Sequence, residues 1–519
     1  MVRKRAPRPA EAPQPPPSAA PRRWPAALGL AAALFAVYQV NGDVLIGNDA
    51  KPNLYLPATL LAEGRMVFRP RSESFMFDWA LDGPHGRWEG QMRRWGDVAA
   101  PDELDRQFAA GKLVARPKYY LVPTVRAGEY VDTFGPGAGL AALPLFALIH
   151  AFRGGLLESP QLLWRAGKAA ASALVAASAA LVFLTALAFT TRRRALAVAA
   201  AYGLGTCVFS TSSQALWQHG PTEFFLALGV FFLCAAPRGR AATFCGAALA
   251  AAVATRPTSG VVLAVVGLWL LWPAAAALAR REDLREAARP ALEFALGAAP
   301  ILMLLAAYNA HYLGAPWRFG QTSVDPGLVR FKTGGSDDLW GTPPWLGAAG
   351  LLLSPSRGLL THSPFLALAF WGAARAFREQ RFAALRPVAL SALALWLIAF
   401  CWYDWWGGWS FGYRPIVDTM PLLAVLLVPV VDAVFERRPA LLAAAGLLAW
   451  SVTVQWAGAF AYDVRGWNAQ GGRDVDLPEH RARLWSIPDS QVLYYLRNYS
   501  ESRRRKQADA QEWVDDPAG

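Results

Sequence analysis

The chain is short of charge and of cysteine. Asp, Glu, Lys and Arg make up 17% of its 519 residues against 54% apolar ones, a balance that leaves long charge-free runs no soluble domain needs. The four cysteines, Cys207, Cys234, Cys245 and Cys401, lie in or beside apolar runs and form no C-x-x-C pair. This speaks against a disulfide framework and against a thiolate metal site. Neither G-x-G-x-x-G nor a P-loop occurs, so the sequence offers no phosphate cradle for a nucleotide, and no H-E-x-x-H supplies metal-ligand spacing. The net charge of +13 is not a nucleic-acid signature, because the basic residues fall in short clusters between apolar runs rather than on a continuous face. Such clusters orient spans and touch anionic lipid headgroups.

What is present is a series of apolar runs, which predicts an all-α polytopic membrane protein. Residues 1–23 are Pro- and Ala-rich and basic, and are expected to be a disordered cytoplasmic lead. Residues 24–40 read as an uncleaved signal anchor, since no small-residue cleavage site follows. Further runs occupy 166–190, 195–212, 220–237, 241–255, 257–273, 291–311, 359–377, 387–403, 415–434 and 440–460. Several are shorter than the roughly 20 residues of a straight span. The basic loops at 192–194, 238–240, 280–289, 378–386 and 437–438 are expected on the cytoplasmic side with the N-terminus. Two runs separate each successive pair, so about eleven spans close the count, provided that 136–152, which opens on Gly135, Pro136 and Gly137, is a re-entrant or surface-lying helix. The membrane domain is then 24–460, with 41–165 a large first external loop and 461–519 an external tail. Within that loop, 118–134 predicts a β-hairpin around Arg126, Ala127 and Gly128, which holds Asp132 beside the re-entrant helix.

The unusual polar residues gather on the external face of this topology. Asp49 follows the first span in Gly47-Asn48-Asp49, and a carboxylate at a membrane rim among Trp- and Tyr-rich loops is expected to have its pKa raised toward the range of a general base. The same position also suits an N-cap of the helix beginning near Pro52, or a partner for Lys51. Arg256, in Ala-Thr-Arg-Pro-Thr at an external corner, has the fork to hold a phosphate, or snorkels to lipid headgroups. Arg414 ends a stretch from Trp402 with four Trp in eight residues, a Gly pair and Asp404, a surface suited to stacking on sugar rings or clamping an isoprenoid, and denser than a belt of anchors requires. Glu223 lies just inside an apolar run after His219, so it should face a cavity or a partner. His219, Asp132 and Asp49 together are a candidate set for a divalent metal, although their spacing matches no known ligand pattern. His311 suits a helix-end hydrogen bond, and 503–505 a solvated charge run.

The order of these parts resembles the GT-C membrane glycosyltransferases, in particular the branch of protein O-mannosyltransferases, aminoarabinose transferases and their bacterial relatives. The matching stretches are 47–64 (GNDAKPNLYLPATLLAEG), 132–144 (DTFGPGAGLAALP), 202–223 (YGLGTCVFSTSSQALWQHGPTE), 254–258 (ATRPT), 308–320 (YNAHYLGAPWRFG) and 407–421 (GGWSFGYRPIVDTMP). The resemblance implies transfer of a sugar, with inversion, from a polyprenyl-phosphate donor to a lipid, glycan or protein acceptor on the external face. It places the base on Asp49, the donor-phosphate contact on Arg256 and a second basic contact on Arg414. Relatives often carry Lys or His directly before the Pro of the re-entrant helix, where this chain has Gly135, which leaves Lys51 or Arg126 to substitute. A lipid-linked-glycan polymerase or ligase shares the carrier and is the enzymatic alternative. A flippase would carry its polar residues at mid-bilayer depth, and a scaffold would tolerate Asp49→Asn. Ala- and Arg-heavy usage points to a bacterial inner membrane.

Overall fold

The computed structural model describes residues 23–42, 47–83, 86–91, 101–236, 239–323 and 326–515, so the basic lead, apart from Arg23, and Arg238 lie outside the described residues. Helices dominate. Five are long and apolar enough to cross a membrane: Pro160–Ala186, Pro257–Arg280, Leu284–Leu313, Gln380–Cys401 and Arg438–Ala461. A sixth span results if Arg414–Leu426 and Val428–Glu436, which meet at 54°, are one broken crossing. Five to six is fewer than the eleven expected from hydropathy. The difference has a local cause: the other runs fold as short or interrupted helices, such as the 17-residue Arg23–Gln39, Arg192–Gly205, His219–Cys234 and Ala241–Thr255. The run at 195–212 breaks after Gly205 and resumes as a single π-helical turn, Val208–Ser212, a distortion that is frequent at functional sites.

Chain chemistry accounts for the element ends. The Ser159 hydroxyl accepts from the Leu162 amide at 3.3 Å while Pro160 occupies the first helical position, where no amide is needed. The alanine-rich helix Ala241–Thr255 lies between His219–Cys234 and Leu284–Leu313 because small side chains let helix backbones approach. Large apolar side chains on two of the long helices face outward, with Leu268, Trp272 and Leu304 at 67%, 72% and 71% exposure. Apolar groups pointing away from the protein suit a lipid bilayer and not water.

Two small sheets accompany the helices. The strands β1 (Phe77–Gly83), β2 (Gly86–Gln91) and β3 (Leu113–Pro117) form an antiparallel sheet in the order β2-β1-β3. The hairpin expected at 118–134 is present as β4 (Leu121–Pro123) and β5 (Tyr130–Asp132), with Leu121 opposite Asp132. The following segment is a 17-residue helix, Gly137–Arg153, packed on Lys51–Glu63, Pro160–Ala186 and Ala241–Thr255. A Cβ at Gly137 would fall inside the backbone of Ala254 and Thr255, immediately before Arg256. Gly137 is therefore required by this close approach and Gly135 by its φ of +94°, and together they bring the segment after the hairpin onto the Arg256 corner.

Candidate functional site

A cavity of about 450 Å³ opens where the helix ends and loops converge. Its wall is built from separate parts of the chain: 47–49, Tyr119 with 133–134, Thr211 with 217–219, Arg256 with Thr258, Gln321 with 328–340, 395–419 and the tail from Tyr462 to Asp476. Five of the eight residues singled out from sequence line it: Asp49, His219, Arg256, Asp404 and Arg414.

Asp49 sits in a one-turn helix, Asn48–Ala50, that leads into Lys51–Glu63. Its side chain makes no capping bond to that helix. Instead Arg414 Nη1 donates to Asp49 Oδ2 at 2.7 Å, and the Tyr119 hydroxyl donates to Oδ1. Arg414 also donates to the Gly407 carbonyl at 2.8 Å, and its guanidinium lies 5.0 Å from the Trp217 ring. Burial alone would raise the Asp49 pKa, but the Arg414 charge, the Tyr119 bond and the nearby Lys332 outweigh it and hold the carboxyl below its ordinary range. The expectation of a raised pKa is thus corrected. The sequence could not show a partner 365 positions away.

A second cluster lies on the same wall. Arg256 Nη1 donates to Asp418 Oδ2, and His219 Nδ1 lies 2.8 Å from Asp418 Oδ1. The same His219 Nδ1 also lies 3.0 Å from Arg256 Nη1, so carboxylate, imidazole and guanidinium form one closed triangle of contacts. On Arg256 the Nε proton has no partner, and Nη2 has only a 3.5 Å contact to the Pro415 carbonyl. The third cluster is centred on Lys332, which donates to Asp404 at 2.6 Å and lies 3.3 Å from Asp476. Burial would lower the Lys332 pKa, yet the two carboxylates raise it overall. Indole nitrogens of Trp406 and Trp409 donate to Asp476 and Asp474, each at 2.8 Å, which ties the tail to the cavity. Behind this contact the fully buried Arg357 donates to the carbonyls of Trp406 and Gly408 and to Asn468 and Gln491 of the tail. Beside the charged groups stands an apolar flank of Leu328, Leu395, Ile398, Ala399 and Trp402.

Three candidates stand outside the cavity. Lys51 is buried, 5.9 Å from the Phe75 ring, and burial together with Lys118 pushes its pKa well down. Asp132 accepts from the Phe134 amide at 2.8 Å; burial first, then Asp49, raises its pKa well above the carboxylate range. Glu223 accepts from Ser212 at 2.6 Å inside the helical core. His219, Asp132 and Asp49 do not come together, and among the described residues no group of three or more His, Cys, Asp or Glu is placed to hold a metal. The residues present do not fit the divalent ion considered from sequence. His311 is exposed beside Tyr312, and Arg505 is not merely solvated but donates to Asp463 at 3.0 Å.

Sequence reasoning missed Asp418, Tyr119, Lys332 and the tail acids. Asp418 was within reach, because it opens an apolar run in the same way as Glu223. No sequence signal joins Lys332 or Asp476 to Asp404. No protein-family model matches the chain, and no curated protein matches it.

Proposed function

We propose that the protein is a membrane glycosyltransferase of GT-C type, which moves a sugar from a polyprenyl-phosphate donor to an acceptor hydroxyl with inversion. One observation carries the reading: a single cavity joins a held carboxylate, Asp49, and a partly unsatisfied guanidinium, Arg256, to an apolar flank. A lipid phosphate sugar has the same three parts. Its phosphate would lie on Arg256, its isoprenoid along Leu395 and Ile398, and its anomeric carbon toward Asp49.

In this mechanism the acceptor oxygen forms a bond to the anomeric carbon from the face opposite the phosphate. The bond from that carbon to the phosphate oxygen breaks, and the electron pair leaves with polyprenyl phosphate, whose charge Arg256 neutralises. Asp49 takes the acceptor proton as the new bond forms, so a carboxylate with a low pKa suffices when proton transfer is late. Arg414 and Tyr119 hold Asp49 in place, and fixed geometry supplies much of the rate. In this reading the eleven apolar runs all belong to the membrane domain, the N-terminus is cytoplasmic, and the cavity faces outward from a bacterial inner membrane.

The test is transfer from radiolabelled polyprenyl-phosphate sugars to endogenous acceptors in membranes holding wild type or Asp49→Asn at matched levels. The expected result is labelled product with wild type only. Transfer undiminished in Asp49→Asn would remove the proposed base and favour a scaffold or flippase.

A further inference from the structure

Asp418 is 3% exposed and sits in the short 3-10 turn Arg414–Thr419, which links the Gly-Gly segment to the broken helix. Its two oxygens are spent on different partners: Oδ2 on Arg256 Nη1 and Oδ1 on His219 Nδ1. The consequence for Arg256 is directional. A guanidinium presents two bidentate edges, one of Nη1 with Nη2 and one of Nε with Nη2. Asp418 takes Nη1, whereas Nε is unpartnered and Nη2 has only its long contact to Pro415. The unspent donors of Arg256 therefore lie on its Nε–Nη2 edge, with Nε itself buried out of contact with water. His219 is held by the same carboxylate, its Nδ1 lying 2.8 Å from Asp418 Oδ1 and 3.0 Å from Arg256 Nη1.

We propose that Asp418 is the positioning residue of the donor site: by holding Nη1 it fixes the Arg256 guanidinium so that its unspent donors serve a phosphate monoester. This rests on the reading of the cavity as a lipid-phosphate site. It makes a prediction of sign. By charge alone, removing an anion beside Arg256 would strengthen the binding of a phosphate. If Asp418 acts by orientation, its removal weakens that binding despite the gain in positive charge.

The experiment measures binding of geranylgeranyl phosphate, and of neutral geranylgeraniol, to the full-length protein purified in detergent. Wild type, Asp418→Asn and Asp418→Glu are compared. The expected result is that wild type binds the phosphate more tightly than the alcohol, and that Asp418→Asn loses at least tenfold in phosphate affinity with alcohol affinity unchanged. Asp418→Glu keeps the charge but displaces the guanidinium by one methylene, and is expected to lose less, about threefold. It also serves if Asp418→Asn fails to fold. Equal or tighter phosphate binding by the substituted proteins would overturn the positioning role, as would an equal loss for phosphate and alcohol, which marks general damage to the cavity. Absence of any preference for phosphate in wild type would instead overturn the donor reading, and the inference with it.

Discussion

Two arginines face the same cavity and are held in opposite ways. Arg414 is closed: Asp49 takes one nitrogen at 2.7 Å, the Gly407 carbonyl takes another at 2.8 Å, and the Trp217 ring covers the plane. Arg256 is open: Asp418 and His219 crowd one nitrogen, and the Nε side is unpartnered. Both side chains are 16% exposed, so accessibility does not separate them. What separates them is that Arg256 has a buried Nε without a partner, whereas Arg414 is tied by two short bonds on separate nitrogens. A guanidinium tied by short bonds to a carboxylate and a carbonyl acts as a brace, whereas a buried N–H without a partner costs free energy until an acceptor fills it. Position in sequence gave the two equal standing; their surroundings give them different work.

Several substitutions would break or sharpen this contrast. The largest effect is expected at Asp49, where Asp49→Asn should reduce transfer by about 10²–10⁴-fold, the usual weight of a general base. It also leaves Arg414 without its counter-ion, so a matched fall in melting temperature is expected. The next effect is at the open arginine. Arg256→Lys keeps the charge but loses the fork, and a loss of about tenfold or more in transfer, chiefly through donor affinity, is expected from initial-rate kinetics. Arg414→Lys should instead act through Asp49 and lower the turnover at saturating donor.

The pH dependence gives a finer comparison. Asp49 is held below the ordinary carboxylate range, so it stays ionised above that range, and the proposed transfer is expected to be lost only as pH falls through its depressed pKa. Tyr119→Phe removes one of the bonds that depress it, and the acidic limb of the pH–rate profile should move up. An unmoved limb would show that Tyr119 does not stabilise the ionised form.

A further test concerns the turn that carries Arg414. Gly408 has φ of +61° and a Cβ there would lie 2.9 Å from Lys332 Nζ. Gly408→Ala should cost about 1–2 kcal/mol of stability by thermal denaturation, from a strained backbone and a displaced lysine. The smallest effect is expected at Asp132, which is outside the cavity. Its raised pKa means that the folded state favours the protonated acid, so stability is full below the unfolded pKa and declines as pH rises toward the folded one. Asp132→Asn should remove that decline in a melting-temperature series across pH and leave transfer within about threefold of wild type.

How much of this was legible beforehand depends on the range of the interaction. Hydropathy marked the apolar segments, and alternation with a Gly turn marked the β4–β5 hairpin, because both patterns are written within a dozen residues. Hydropathy did not mark where a run breaks, as at 205–208, since the π turn Val208–Ser212 mixes apolar residues with Ser and Thr, which apolar helices also carry. Asp49, Arg256 and Arg414 were legible as charges where charge is costly. Lys51 and Glu223 met the same criterion, yet Lys51 faces Phe75 and Glu223 faces Ser212. A costly charge has to be compensated, and compensation within the core looks the same in sequence as compensation by a ligand.

The sequence by itself determined that the chain is helical and apolar enough for a bilayer, that it carries neither a C-x-x-C pair nor a P-loop motif, and that a few charged residues lie at the ends of apolar runs. Only the tertiary structure decided which of those charges meet. Asp49 finds Arg414 across 365 residues, Asp418 finds Arg256 across 162, and the tail returns to close the wall beside Asp404. The reason is physical: burial and periodicity are properties of a local stretch, whereas an ion pair exists only when packing brings two distant stretches to within about 4 Å.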